Sequence, residues 1–113
     1  MPCKERSVTM TQDVIKLTRS DEKTIEKLVM DENLHYMHVI MPPGDKLPEH
    51  ATNAAVYMMI LRGTISISLN DEPTRDHGAG TLLTIPFQTK MNIANNASEA
   101  LEITIVKAPP PQL

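Results

Sequence analysis

Four histidines, His35, His38, His50 and His77, are the residues of this chain best suited to chemistry. An imidazole acts as a metal ligand, as a general acid or base, or as a partner for a carboxylate, and each use needs a second group placed beside it. His35 and His38 stand three apart in LHYMHVIM, residues 34–41, and in a strand that spacing sends them to opposite faces. At most one of them therefore looks to the same side as His50, unless a bulge intervenes. Two imidazoles side by side, with methionine thioethers in reach, would suit copper(I) or zinc better than iron. The plainer alternative has one histidine at a polar spot of the interior and the other in solvent. Glu49 is adjacent to His50, so in a strand the two side chains diverge and Glu49 reads as a surface ion. His77 precedes Gly78 in what reads as a turn, which predicts an exposed ring. No Ser-His-Asp pattern, phosphate-cradling loop or cysteine pair is present, and Thr52 is a weak nucleophile at best beside His50.

The elements that must hold these residues read as strands. DVIKL, residues 13–17, fits a short strand after a loose arm. TIEKLVM, 24–30, follows Ser20-Asp21-Glu22, which would suit a helix cap. The turn formers Asp31-Glu32-Asn33 and the next apolar run instead favour a hairpin with 34–41. Pro42-Pro43-Gly44 ends that strand, since proline has no N–H for a ladder. AVYMMILR, 55–62, is continuously apolar and predicts a strand covered on both faces. Gly63 allows a tight turn into TISISL, 64–69, where Ile65, Ile67 and Leu69 share one face. Asn70-Asp71-Glu72-Pro73 is a turn; TLLTI (81–85), KMNIA (90–94) and LEITIV (101–106) are further strands. Many short strands with Gly and Pro turns predict an all-β sandwich or barrel.

Size and composition agree. The chain has 113 residues, 41% hydrophobic and 22% charged, which suits one domain with a core of its own. Aromatics make up 3%, so the core must be aliphatic, helped by eight methionines as gap-fillers. A net charge of −3 argues against nucleic acid or an anionic membrane as partner. Cys3 is the only cysteine, so no internal disulfide forms, and no apolar run resembles a signal peptide or a membrane span. The expectation is a cytoplasmic protein: an arm over 1–12, one domain over 13–107 and a proline-rich tail over 108–113.

From Gly44 to Asn95 the spacing resembles the cupin superfamily, small double-stranded β-helix or jelly-roll barrels. The first cupin motif is matched by Gly44, His50 and Gly63, with Pro48 as a common companion. The second is matched by Gly80, Pro86 and Asn95. The three glycines stand where hairpin geometry often demands positive φ. Carried onto this chain, the metal ligands of the family fall on His50, Thr52, Val56 and Met91. One imidazole of the usual ligand set remains, while a valine, a neutral hydroxyl and a thioether do not suit iron or manganese. The glycine of the family's Pro-x-Gly is replaced by Gln88.

The resemblance therefore implies a cupin barrel without its metal chemistry: no cofactor, and a small, partly apolar molecule in a pocket lined by His50, Thr52, Val56, Met58 and Met91. His50 would orient that ligand. A simple packed core is the competing reading, because small barrels fill their interiors with side chains. The enzymatic alternatives are a metal-dependent oxygenase or isomerase using His50 with His35 or His38, and a metal-free epimerase or isomerase using His50 alone. Tyr57 and Met59 face away from the pocket side of their strand, and with the family's habit of pairing they imply a homodimer.

Overall fold

The computed structural model describes residues 7–9 and 11–111; Cys3, most of the expected arm and the end of the tail lie outside them. All regular structure among the described residues is β. β1 (Ser7–Thr9) and β2 (Gln12–Val14) pair with each other as a small hairpin. The hairpin takes in the described part of the expected arm, and the strand expected over 13–17 ends at Val14.

Two larger sheets face each other. The five-stranded sheet has the order β3 (Thr24–Met30), β4 (His35–Met41), β11 (Leu101–Lys107), β6 (Val56–Arg62) and β9 (Leu82–Ile85). The four-stranded sheet has the order β5 (His50–Ala51), β10 (Lys90–Ala94), β7 (Thr64–Leu69) and β8 (Arg75–Gly78). Every pairing is antiparallel, and most neighbours are far apart in sequence, as in a jelly roll. No helix among the described residues is long and apolar enough to cross a membrane.

Alternation decides which side chains meet between the sheets. Val39 and Met41 of β4, Val56, Met58 and Ile60 of β6, Ile65 and Ile67 of β7, Met91 and Ile93 of β10, and Leu101, Ile103 and Ile105 of β11 form one buried cluster. Burying each such side chain contributes roughly 1.5–3 kcal/mol, and no large aromatic ring is needed. Two expectations fail. β6 is not covered on both faces: Tyr57 and Leu61, on its outer side, are 42% and 43% exposed. Residues 75–78 form a strand rather than a turn, because β7 offers them a ladder from Ile67 to Thr64 that short-range sequence cannot reveal.

The anchors shared with the cupin motifs hold the framework. Gly44, Gly63 and Gly80 have φ of 83°, 81° and 85°, the left-handed region that costs glycine little. Asn95 is fully buried. Its Nδ2 donates to the carbonyls of Met41 and Glu99, both at 2.9 Å, and its Oδ1 accepts the Ala97 N–H at 3.1 Å. Its backbone binds the loop after β4 on both sides, through Gly44 N–H and Asp45 C=O. One amide thus ties three chain segments together.

Candidate functional site

At one edge of the sandwich, where β3 and β5 do not pair, a cavity of about 160 Å³ opens between the sheets. Four of the five expected residues line it: His50, Thr52, Val56 and Met91. The register explains their meeting, since His50 on β5 stands directly opposite Met91 on β10, and Thr52 and Val56 follow along the chain. Met58 does not join them. It lies one inward position deeper on β6, fully buried among core side chains.

The polar groups at this site are few, and most have work. Thr52 Oγ1 donates to the Pro86 carbonyl at 2.7 Å and accepts the Thr89 N–H at 2.9 Å. Further bonds join Thr52 N–H to the Thr89 carbonyl and Gln88 N–H to the Thr52 carbonyl. Thr52 is therefore the clasp of the 86–89 loop, with its hydroxyl committed. His50 Nδ1 lies 3.1 Å from the Pro48 carbonyl. A carbonyl only accepts, so Nδ1 carries the proton, and Nε2 of the neutral ring is left as an acceptor. Glu49 turns away from His50, as expected of adjacent strand residues, and accepts from Asn92 Nδ2 at 2.9 Å.

The other histidines are placed elsewhere. His38 is wholly buried on the outer face of β4, where its ring nitrogens lie 2.7 Å from Glu26 Oε1 and 2.6 Å from Glu102 Oε2. His35 has the inward parity of Met37 and Val39 but stands at the start of β4, opposite Lys107, outside the lining of the cavity. His77, expected in solvent, is half-buried on β8 and lines a cleft of about 220 Å³ at the opposite edge of the sandwich, between β8 and β9. Arg75 and Glu72 share that rim, so its charge is mixed.

The donor set at the four stations does not fit a hard cation. Val56 has no donor, the Thr52 hydroxyl is committed, and Met91 offers a buried thioether. Among the described residues no three His, Cys, Asp or Glu side chains are grouped as metal ligands. Neither His35 nor His38 supplies a second imidazole beside His50.

Several lining residues escaped the sequence reading. Lys107 extends β11 one residue beyond the expected strand and lines the cavity. The signal was present: Leu101, Ile103 and Ile105 alternate inward, and Lys107 is the next position in that series. Ile25, Met37 and Leu47 also line the cavity, making its walls largely aliphatic.

No family model matches the chain. The uncharacterised protein MJ0764 of Methanocaldococcus jannaschii is 36% identical over 90 residues, which are 80% of this chain and 78% of that protein. The crystal structure of mj0764, an RmlC-like cupin family protein with a double-stranded β-helix fold, superposes with a TM-score of 0.85 at 33% identity, covering 89% of this chain and 94% of that one. The cupin domain of Schizosaccharomyces pombe Cnp3 gives a TM-score of 0.75 at 20% identity, covering 87% of this chain and 75% of that one, and shares the fold alone. The same holds for the polyketide cyclase RemF of Streptomyces resistomycificus, with a TM-score of 0.72 at 18% identity over 81% of this chain and 68% of that one.

Proposed function

The chain belongs to the RmlC-like cupin family, and we propose that it uses the family barrel without a metal, as a small-molecule-binding or regulatory module. The observation that carries this reading is the cavity beside His50. Its walls of aliphatic side chains with a few polar groups have the make-up of a small-molecule site. His50, Thr52, Val56 and Met91 line it, while Met58 belongs to the buried core. With Nδ1 held by Pro48, the His50 ring has a set orientation. Its Nε2 accepts from a hydroxyl or, when protonated, donates to an acid.

The metal-dependent enzyme is disfavoured by the donors themselves, for the reasons given by Thr52, Val56 and Met91. A metal-free acid–base enzyme needs a second titrating group at the reacting atom; Glu49 and His38 are bonded elsewhere, and Lys107, which lines the same cavity, donates to Asn53. A homodimer belongs to the same proposal. Tyr57 and Leu61 on β6 and Leu82 on β9 expose an apolar strip on the outer face of the large sheet, suited to a second copy. A lone cysteine in the sequence fits a cytoplasmic setting.

Soaking or titrating the protein with a library of small amphipathic molecules tests the reading. The expected outcome is density or chemical-shift change at Met91 and His50, and weaker binding of the same molecule by a folded His50→Ala variant. Unchanged affinity in that variant would remove His50 from the proposal. Stoichiometric iron, manganese or zinc seated on His50 would overturn the metal-free reading.

A further inference from the structure

Lys107 is the last inward position of β11, half-buried at the cavity that also receives His50. Its Nζ donates to Asn53 Oδ1 at 3.3 Å, a neutral acceptor. The carboxylate ion pairs among the described residues go to Lys23, His38, Arg62 and Lys90, so the Lys107 ammonium has none there. Its side chain is half-buried along the aliphatic lining, and its ammonium meets one uncharged partner, Asn53, at the exposed rim. Loss of water around an ammonium is unfavourable unless an anion replaces it.

Resting on the reading that this cavity takes a small molecule, we propose that Lys107 is its anion-recognising residue and that the ligand is a short aliphatic monocarboxylate. The carboxylate pairs with the ammonium of Lys107, and the hydrocarbon body lies against Met37, Ile93 and Ile105. Size sets the class. An apolar cavity of roughly 150 Å³ takes a benzene molecule, so the space here, about 160 Å³, holds a body of about six heavy atoms. Polarity narrows it further. With the Thr52 hydroxyl committed to the 86–89 loop, a sugar or a phosphate would find too few donors, whereas a single carboxylate can be held by one cation. The direction in which burial moves Lys107, below its ordinary 10.5 because its charge is poorly hydrated, agrees with a site that lacks its counter-ion.

Methyl spectra of methionine-labelled protein test this, because Met37 and Met91 line the cavity and report its occupant directly. Butanoate, pentanoate and hexanoate are titrated beside their own carboxamides, which match them in shape but not in charge. The acids are expected to bind about tenfold tighter than the amides, as a charge-assisted contact gives, with shifts at Met37 and Met91. Lys107→Met is expected to abolish that preference while the amides bind as before. Because the acid–amide comparison is made on the native protein, it stands even if the variant does not fold. Equal binding of acids and amides overturns the role of Lys107 and leaves the cavity reading intact. A preference that disappears in His50→Ala but survives Lys107→Met moves the charge contact to His50 and overturns the proposal. No shift with any acid or amide overturns both readings.

Discussion

The imidazole of His38 and the carboxylate of Glu102 are bonded at 2.6 Å beneath the outer surface of the large sheet, although 64 residues separate them in the chain. Glu26 occupies the other ring nitrogen at 2.7 Å. The ring therefore bridges two acidic side chains, one at each nitrogen. The chain continues outward on each side. Glu26 accepts Thr18 N–H and Oγ1, while Glu102 accepts Arg62 Nε at 3.1 Å. Arg62 in turn binds Asp21 and the Ser20 carbonyl, and Asp21, ahead of Glu102, keeps the guanidinium firmly charged. The segment from Thr18 to Asp21 is thereby fastened across β3, β4, β11 and β6.

His38→Ala removes the bridging ring and leaves two largely buried acidic side chains without that partner. Breaking a buried pair in this way costs about 3–5 kcal/mol, a large part of the stability of a domain this size. Urea unfolding is expected to show that loss, with part of it recovered when Glu26→Gln and Glu102→Gln are added. A loss under about 1 kcal/mol would mean that the network contributes little.

Gln88 has φ of 62° at the position where the cupin motif carries glycine. The backbone has kept the left-handed geometry after losing the residue that adopts it freely. The loop is held there by Thr52, whose carbonyl accepts the Gln88 N–H at 3.0 Å. Gln88→Gly relieves the strain, which for an L-residue is about 1–2 kcal/mol, against a larger entropy loss for glycine on folding. A net gain of roughly 0.5–1 kcal/mol in thermal or denaturant stability is expected. Destabilisation by the glycine variant would contradict this account.

Gly63 is constrained from two directions. Its φ of 81° excludes most side chains, and a Cβ there would stand 2.3 Å from the Ala100 carbonyl oxygen and 2.9 Å from Leu101 Cα. Both contacts are backbone, so no rotamer relieves them. Gly63→Ala is expected to cost more than about 3 kcal/mol, by strain and displacement of β11 together, seen as loss of a cooperative unfolding transition. At Gly44 and Gly80 the space is open, so alanine there should meet only the dihedral cost of about 1 kcal/mol. Similar losses at all three would refute the role given to the Ala100 contact.

Lys107 makes stability depend on pH in a defined sense. Desolvation lowers its pKa in the folded protein from 10.5, so between the folded value and 10.5 the unfolded chain binds more protons. Stability contributed by this residue therefore rises with pH through that window, and the penalty for its charge is fully present below it. The groups around it are Asn53, its cross-strand partner His35 and, across the cavity, His50; none is an acid. The stability advantage of Lys107→Met over the native chain should accordingly be greatest at neutral pH and shrink toward pH 10. Parallel denaturation curves of the two proteins check this, and a pH-independent difference would exclude a desolvated ammonium.

Local sequence determined the strands and their turns, because strand alternation and the positions of Gly and Pro are properties of neighbouring residues. TISISL, KMNIA and the hairpin about Asp31-Glu32-Asn33 are found where their patterns put them. The cupin anchors were readable for the same reason: positive φ at Gly44, Gly63 and Gly80 is a demand of the turn itself. Tertiary structure alone decided the facing of β4, whose sequence HYMHVIM is apolar on both sides and so sets no register by itself. Burial of His38 became affordable only through Glu26 and Glu102, two carboxylates supplied by other strands. Long-range pairing likewise made residues 75–78 a strand and turned the Thr52 hydroxyl into a clasp. It also brought Lys107 to the cavity beside His50, a meeting of two strands in opposite sheets that no spacing along the chain encodes.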